Sequence, residues 1–321
     1  MEVSVLSRPE KLQILLVIVA IFIGLTLKHI HWFSENGVYL IVPALMVMLY
    51  GVFLNIPFNR LANGFQNYKV TGLSLAINFL WTPIFAWGLG AIFLKDNPDL
   101  WVGLMMLIVT PCTDWYLIFT SLAQGDVALA TALLPWNLLL QVILLPVYLW
   151  VFAGKLVNIN ATMLLKSVML VFVVPMILAF ISKRLIQPYN RIGHCLIHKI
   201  AANQWLFLCV AIAAMFASQG EILIKQSELL PKMLLPISIF FVINFWLGQT
   251  IGRFAHFSYE ETACFNCTTL ARNSPLSLAI ATSAFSDRPL IALVLVIGAL
   301  IELPILVVVS QILLLLRPRT K

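Results

Sequence analysis

Apolar runs of about 20 residues alternate with short polar stretches along the whole chain. Each run is long enough to cross ~30 Å of hydrocarbon as a helix. They predict spans over 12–28, 38–57, 70–94, 100–123, 128–153, 162–182, 200–219, 233–254, 262–285 and 289–316. The expected fold class is an all-α polytopic membrane protein of about ten transmembrane helices. No long polar segment is left over for a separate soluble domain, so residues 1–321 read as one membrane domain. The polar stretch 183–199 holds Lys183, Arg184, Arg191 and Lys199 and is expected as a loop. It divides the spans into two groups of five.

Two similar halves with an odd number of helices each must run in opposite senses through a membrane. Such inverted repeats are predicted over 12–153 and 162–316. Bringing Asp126 onto Asp287 also brings Cys112 onto Asn273, Asp114 onto Pro275 and Gln141 onto Glu302. The shared plan is a Pro and polar cluster early in a span, a tight Asp-containing turn, then a long span with one polar residue. Proline removes a donor and clashes with the preceding turn, so Pro111 and Pro275 predict helix breaks. Backbone groups freed in lipid must be satisfied by protein, water or solute. Broken spans in matching positions of two repeats are a pointer to a transporter site.

Composition narrows the class further. Hydrophobic residues make up 61% of the chain and charged residues only 10%, too apolar for a soluble domain of this length. The net charge of +7 does not imply nucleic acid, because most Lys and Arg lie in short loops. The side that holds both termini collects the larger share of them, which predicts cytoplasmic termini in a multi-pass protein of the plasma membrane. The first apolar run is followed by Lys28, His29, His31 and Trp32 rather than a small-residue cleavage site, and is expected to stay as a helix. Five cysteines, mostly in apolar runs, do not form a disulfide framework.

Three ionisable residues lie inside apolar spans: Asp114, Arg272 and Glu302. An Asp or Arg at a helix centre costs roughly 2.5–3.5 kcal/mol on insertion scales, so such groups face a cavity or a partner. Asp114 and Arg272 flank the two breaks and either pair with each other or act on a solute. Arg272 is expected to bind an anion or tune a carboxylate, and Asp114 or Glu302 to relay a proton. Cys112 and Thr113 follow Pro111, and a thiol at a break suits a soft solute atom. Asn137, Gln141, Asn273 and Ser274 are candidates for hydrogen bonds to substrate, or else join helices to each other. Asn78 and Asn244 are assigned to the latter role. Cys264-x-x-Cys267 and His194, Cys195 and His198 read as packing and as a solvated face, so no metal site and no cofactor is expected.

The stretches PCT…GDVALATALLP and LARNSPLSLAIA resemble the bile acid:sodium symporter and arsenite permease superfamily. The resemblance covers essentially the whole chain. It implies a transporter, not an enzyme, with two crossed discontinuous helices. It also implies a core of spans 70–153 and 233–316 and a panel of spans 12–57 and 162–219. The arsenite branch uses a Cys on the fourth helix, matched by Cys112, and usually the proton gradient. It carries a Glu on the ninth helix where this chain has Ser277. The sodium-coupled branch has a Ser-Asn pair matched here by Tyr116 and Leu117, and a Glu and a Gln matched by Thr268 and Arg272. The expected function is therefore a proton-coupled arsenite or antimonite efflux permease without sodium coupling. An organic-anion symporter is the alternative, and a membrane enzyme a minor one. The expected partners are a small solute, protons and the lipid bilayer.

Overall fold

A computed structural model describes residues 8–55, 67–112, 115–154, 161–186, 191–225 and 229–318. Among these residues the regular elements are helical, with a single isolated β-bridge and no strand. The first half holds α1 (Arg8–Leu27), α2 (His31–Asn55), α3 (Tyr68–Ala76), α4 (Thr82–Phe93), α5 (Pro98–Ile108), α6 (Trp115–Leu122) and α7 (Val127–Tyr148). The second holds α8 (Ala161–Val168), α9 (Val174–Ile181), α10 (Arg191–Ala202), α11 (Gln204–Lys225), α12 (Leu229–Phe254), α13 (Tyr259–Leu270), α14 (Ser274–Ala284) and α15 (Pro289–Leu316).

Six helical stretches among the described residues are long and apolar enough to cross a membrane: His31–Asn55, Tyr68–Phe93, Val127–Phe152, Leu164–Arg184, Pro231–Phe254 and Pro289–Leu316. Shorter apolar helices run over Ile18–Leu27, Pro98–Ile108 and Gln204–Ser218. Large apolar side chains such as Phe22, Leu80, Trp150 and Trp246 stand exposed on this bundle. Lipid, not water, suits that surface. The chain is a multi-pass helical membrane protein.

Several long stretches are continuous only because a π-helical turn absorbs a proline. Ile77–Trp81 joins α3 to α4 just before Pro83, and Met169–Val173 joins α8 to α9 just before Pro175. A proline lacks the N–H that the carbonyl one turn earlier would take, and its ring crowds that carbonyl. Widening the turn relieves both. The carbonyl of Phe79, one turn before Pro83, instead accepts the Tyr148 hydroxyl at 2.6 Å.

The predicted spans 100–123 and 262–285 are each two helices, α5 with α6 and α13 with α14, as the expected breaks require. One expectation is altered by the structure. The predicted loop 183–199 is largely helical, since α10 covers Arg191–Ala202. Its Ile197 and Ala201 are buried while Cys195, His198 and Lys199 are exposed. Four-residue spacing of the apolar positions makes this a surface helix despite its charge.

The backbone forms two compact units. One comprises Met1–Ile56, Asn160–Leu229 and Leu278–Leu293. In it α11 packs along α1 and α2, and α9 and α10 lie against α2. Small residues permit close approach: a Cβ on Gly24 would lie 2.5 Å from the Ala213 carbonyl oxygen. Phe53 and Phe172 meet edge to face at 4.9 Å between centroids.

The second unit comprises Pro57–Ile159, Leu230–Ser277 and Val294–Lys321. Here α13 packs on α3, α6 and α7. Its start is fixed by reciprocal capping: Ser258 Oγ accepts from the Glu261 N–H at 3.1 Å, and Glu261 Oε2 from the Ser258 N–H at 2.8 Å. The turn before α7 is tied to it, because the Asp126 N–H donates to the Glu260 carbonyl at 3.0 Å and the Tyr259 hydroxyl to that of Ala123 at 2.7 Å. Gly125 allows this approach, since a Cβ there would meet Ala263 Cβ at 3.0 Å.

Candidate functional site

The breaks in the two discontinuous helices lie side by side in the second unit. Helix α5 ends at Ile108, and residues 109–112 lead away from it without helical form. Pro111 has no N–H to continue the ladder, and it disfavours helical geometry at Thr110. The Thr110 hydroxyl covers part of the loss by donating to the Met106 carbonyl at 2.9 Å. Helix α13 ends at Leu270, where Ala271 turns extended with φ −69° and ψ 136°. Pro275 does not lie in the second gap, as Pro111 lies in the first. It is the second residue of α14, where a missing N–H costs nothing.

The extended segments pair with each other. Pro111 and Arg272 form an antiparallel bridge. The Cys112 N–H donates to the Ala271 carbonyl at 3.0 Å, and the Asn273 N–H to the Thr110 carbonyl at 2.7 Å. Each break thus supplies the hydrogen bonds that the other lost, as a non-helical backbone at membrane depth requires. The hydroxyls of Thr110 and Ser277 meet at 2.8 Å, and Ser277 Oγ also donates to the Met106 carbonyl at 2.8 Å.

Arg272 lies at the centre of this crossing and is only 2% exposed. Its Nε donates to the Leu270 carbonyl at 3.1 Å and its Nη1 to the Ile108 carbonyl at 2.9 Å. Its Nη2 donates to Asn78 Oδ1 at 3.1 Å and to the Thr269 carbonyl. The guanidinium also stands 5.1 Å from the centre of the Phe240 ring. Ile108, Thr269 and Leu270 carry last-turn carbonyls of α5 and α13, which have no intrahelical partner and mark the negative ends of both helices. A planar fork of five donors can serve several such acceptors at once. Desolvating the charge costs several kcal/mol, which its charge-assisted bonds, roughly 1.5–3 kcal/mol each, offset.

Glu302 from α15 serves the opposite polarity. Its Oε1 accepts from the Arg272 backbone N–H at 2.6 Å and its Oε2 from the Ser274 hydroxyl at 3.2 Å. The carboxylate therefore sits at the positive N-terminal end of α14. Asn273 caps the same helix, its Oδ1 accepting from the Leu276 N–H at 3.2 Å.

Of the residues singled out from sequence, Cys112, Arg272, Asn273, Ser274 and Glu302 are buried and joined directly at this crossing. Asn137 joins through Asn78, whose Nδ2 lies 3.4 Å from Asn137 Oδ1 and 3.3 Å from the Thr268 carbonyl. Thr113 and Asp114 lie outside the described residues. Cys264 and Cys267 are fully buried one turn apart in α13. Among the described residues no group of three or more His, Cys, Asp or Glu is placed to hold a metal. Asn78, Thr110 and Ser277 are members of the network that sequence reasoning did not assign to the site. The signal for Asn78 was its place five residues before Pro83, where a widened turn projects it inward.

Sequence comparison adds the family context. The profile of the Sodium Bile acid symporter family matches residues 42–226. The arsenical-resistance protein Acr3 of Corynebacterium glutamicum is 22% identical over 83% of this chain and 76% of its own length. An uncharacterised transporter of Synechocystis sp. is 22% identical over 94% of this chain and 88% of its own length. A probable sodium/metabolite cotransporter, BASS2, of Oryza sativa subsp. japonica is 20% identical over 86% of this chain and 64% of its own length.

Proposed function

The chain belongs to the sodium bile acid symporter family, and from that membership we propose that it is a sodium-independent efflux permease for arsenite or antimonite, driven by protons. The observation that carries this reading is the buried Arg272 guanidinium, bonded to the carbonyl ends of both broken helices. A mobile cation would seek those same carbonyls. With a tethered positive charge there, sodium has neither an electrostatic reason nor the oxygen ligands to bind. The positions that match sodium ligands in the family support this. Tyr116 donates its hydroxyl to the Ala130 carbonyl at 2.6 Å, and Thr268 donates to the Cys264 carbonyl of its own helix at 2.8 Å.

Cys112 supports the choice of solute, since its thiol is buried at the bridge between the breaks and arsenic(III) prefers sulfur ligands. The Acr3 relative is named for arsenical resistance. The arsenite branch has a glutamate where this chain has Ser277. Glu302 brings a carboxylate to the second break from α15 instead, and is the proposed proton carrier.

The local geometry also supports the inverted repeat. The alignment that puts Cys112 on Asn273 puts Pro111 on Arg272 and Thr110 on Ala271. The two bridge hydrogen bonds, Cys112 to Ala271 and Asn273 to Thr110, exchange under that correspondence. A local two-fold axis through the bridge has this property. We therefore read about ten spans in two inverted repeats, spans 70–153 and 233–316 as the core, spans 12–57 and 162–219 as the panel, and both termini as cytoplasmic in the plasma membrane.

Accumulation of As(III) in everted vesicles, into which an efflux permease pumps, tests the reading. Wild type is expected to transport As(III) equally with and without sodium, and Cys112→Ser to lose at least tenfold in rate. Uptake that requires sodium, or As(III) transport indifferent to the thiol, contradicts it. A second reading is an organic-anion symporter; the rice relative is named a probable sodium/metabolite cotransporter. Under that reading Cys112→Ser is silent and Arg272→Gln abolishes binding of a carboxylate or sulfonate probe.

A further inference from the structure

The second unit holds a cavity of about 210 Å³ where two of its membrane-crossing stretches end. These are Pro231–Phe254 and Pro289–Leu316, and residues from the first turn of α13 join them in the lining. Gln249, Arg253, Tyr259 and Thr262 supply the polar lining, and Leu313 and Leu316 much of the apolar part. Gly252 brings α12 close to α13, since a Cβ there would meet Thr262 Oγ1 at 2.7 Å. Among the described residues no carboxylate lines the cavity.

Two of the four polar side chains are already committed. The Thr262 hydroxyl donates to the Ser258 carbonyl at 2.8 Å, and the Tyr259 hydroxyl to the Ala123 carbonyl at 2.7 Å. The other two are donors with no acceptor among the described residues: the exposed Arg253 guanidinium and the buried Gln249 Nε2. A solvated arginine at a helix end needs no ligand. A buried amide donor in the same cavity does need an acceptor, because leaving it unpaired is costly. A second cation stands beside them. Arg317 donates to Gln124 Oε1 and lies over the Tyr259 ring, 5.8 Å from its centre. The neighbouring Glu261 is turned to other partners, the Ser258 N–H and Asn67. Donors and positive charge without a counter-anion suit an anionic acceptor.

We propose that this cavity binds a phosphate ester, supplied by the headgroup of an anionic membrane lipid. The Arg253 fork and the Gln249 amide donate to the phosphate oxygens. A lipid is favoured over a soluble ester by what surrounds the cavity. Phe254 and Leu315, at the ends of the same two stretches, are 82% and 81% exposed and suit hydrocarbon. Leu313 and Leu316 offer apolar contact to the glycerol and the first methylenes. A lipid held there fastens the ends of α12, α13 and α15 to one another. Two of these helices carry the crossing, since α13 ends at the second break and α15 bears Glu302. The inference goes beyond the transport reading and does not depend on it.

Thermal unfolding of the full-length protein, stripped of lipid in detergent, tests this with three probes. Phosphatidylglycerol carries chains and phosphate, diacylglycerol the same chains alone, and glycerol 3-phosphate the phosphate alone. Phosphatidylglycerol is expected to raise the Tm of wild type saturably, as a ligand of the folded state does. Diacylglycerol is expected to have no such effect, and glycerol 3-phosphate to need at least tenfold more. Arg253→Gln and Gln249→Leu are each expected to raise the half-saturating phosphatidylglycerol concentration at least tenfold. Arg253 is exposed and Gln249 Nε2 is unpaired, so neither change is expected to prevent folding. Arg184→Gln, which removes an exposed arginine of the first unit, is expected to leave the titration unchanged. An equal loss in that control means a diffuse field rather than a site, and overturns the proposal. So does diacylglycerol acting as well as phosphatidylglycerol, or a titration that ignores both Arg253→Gln and Gln249→Leu. Glycerol 3-phosphate acting as strongly as the lipid, and lost in the same two variants, upholds the phosphate site and overturns the lipid as its source.

Discussion

Arg272→Gln is expected to abolish transport and to destabilise the fold by roughly 3–5 kcal/mol, the usual result of removing one side of a buried charged network. The substitution leaves the carbonyls of Ile108, Thr269 and Leu270 without the donors they now have. Their negative helix ends then face each other without a cation between them. It also releases Asn78, which positions Asn137. Arg272→Lys is expected to fail nearly as badly. An ammonium is a point charge with three donors and cannot span acceptors contributed by two helices and a side chain. Thermal unfolding of the purified protein and As(III) accumulation in everted vesicles measure the two effects together. Added sodium is expected to rescue neither, because Tyr116 and Thr268 direct their hydroxyls into backbone carbonyls. A variant that keeps its stability, or one that sodium reactivates, would show that the guanidinium is not the fixed cation of the crossing.

The second large effect is expected at Glu302, and it separates coupling from binding. Glu302→Gln keeps an amide oxygen to accept from the Arg272 N–H, and its NH2 can donate to the Ser274 hydroxyl oxygen, so the break is held. It removes the proton-accepting charge. Efflux driven by a pH gradient is expected to fall at least tenfold, while exchange of solute across the membrane at equal pH persists. Glu302→Ala removes both acceptors and is expected to unfold at lower temperature as well, by about 1–3 kcal/mol for each buried donor left unpaired. The two assays, run on the same vesicles, decide the matter. Gradient-driven efflux that survives in Glu302→Gln would assign the proton elsewhere.

Much of this site is visible in the sequence because membranes make polar residues conspicuous. Arg272, Glu302, Cys112 and the two proline clusters stand out against apolar spans. Their contacts do not. Arg272 is expected from sequence to face a carboxylate such as Asp114 or a bound anion; Asp114 lies outside the described residues, and among those described the guanidinium donates to three carbonyls and Asn78. Carbonyl acceptors occur at every residue, so no side-chain pattern reports which of them a helix end sets free. The hydroxyls of Thr110 and Ser277 are hidden for the same reason. Asn78 is read from sequence as joining helices, which it does through Thr268 and Arg272, but its place at the crossing is not legible because it sits in the π-helical turn Ile77–Trp81. Helix α10 escapes because its charge outweighed its apolar spacing. Pro275 shows the limit of proline as punctuation, since the same residue that ends one helix starts another well.

The bridge between Pro111 and Arg272 has a consequence for exchange with solvent. Amides in irregular backbone normally trade their protons for deuterium quickly. The amides of Cys112 and Asn273 are each locked onto a carbonyl of the opposite break, under side chains that are themselves buried. They are expected to be among the slowest to exchange in the protein, slower than the ends of the continuous helices. Deuterium uptake across 108–112 and 270–274 measures it. Slow uptake in both segments, lost together in Arg272→Gln, would identify the crossing as one cooperative unit that moves as a piece during transport.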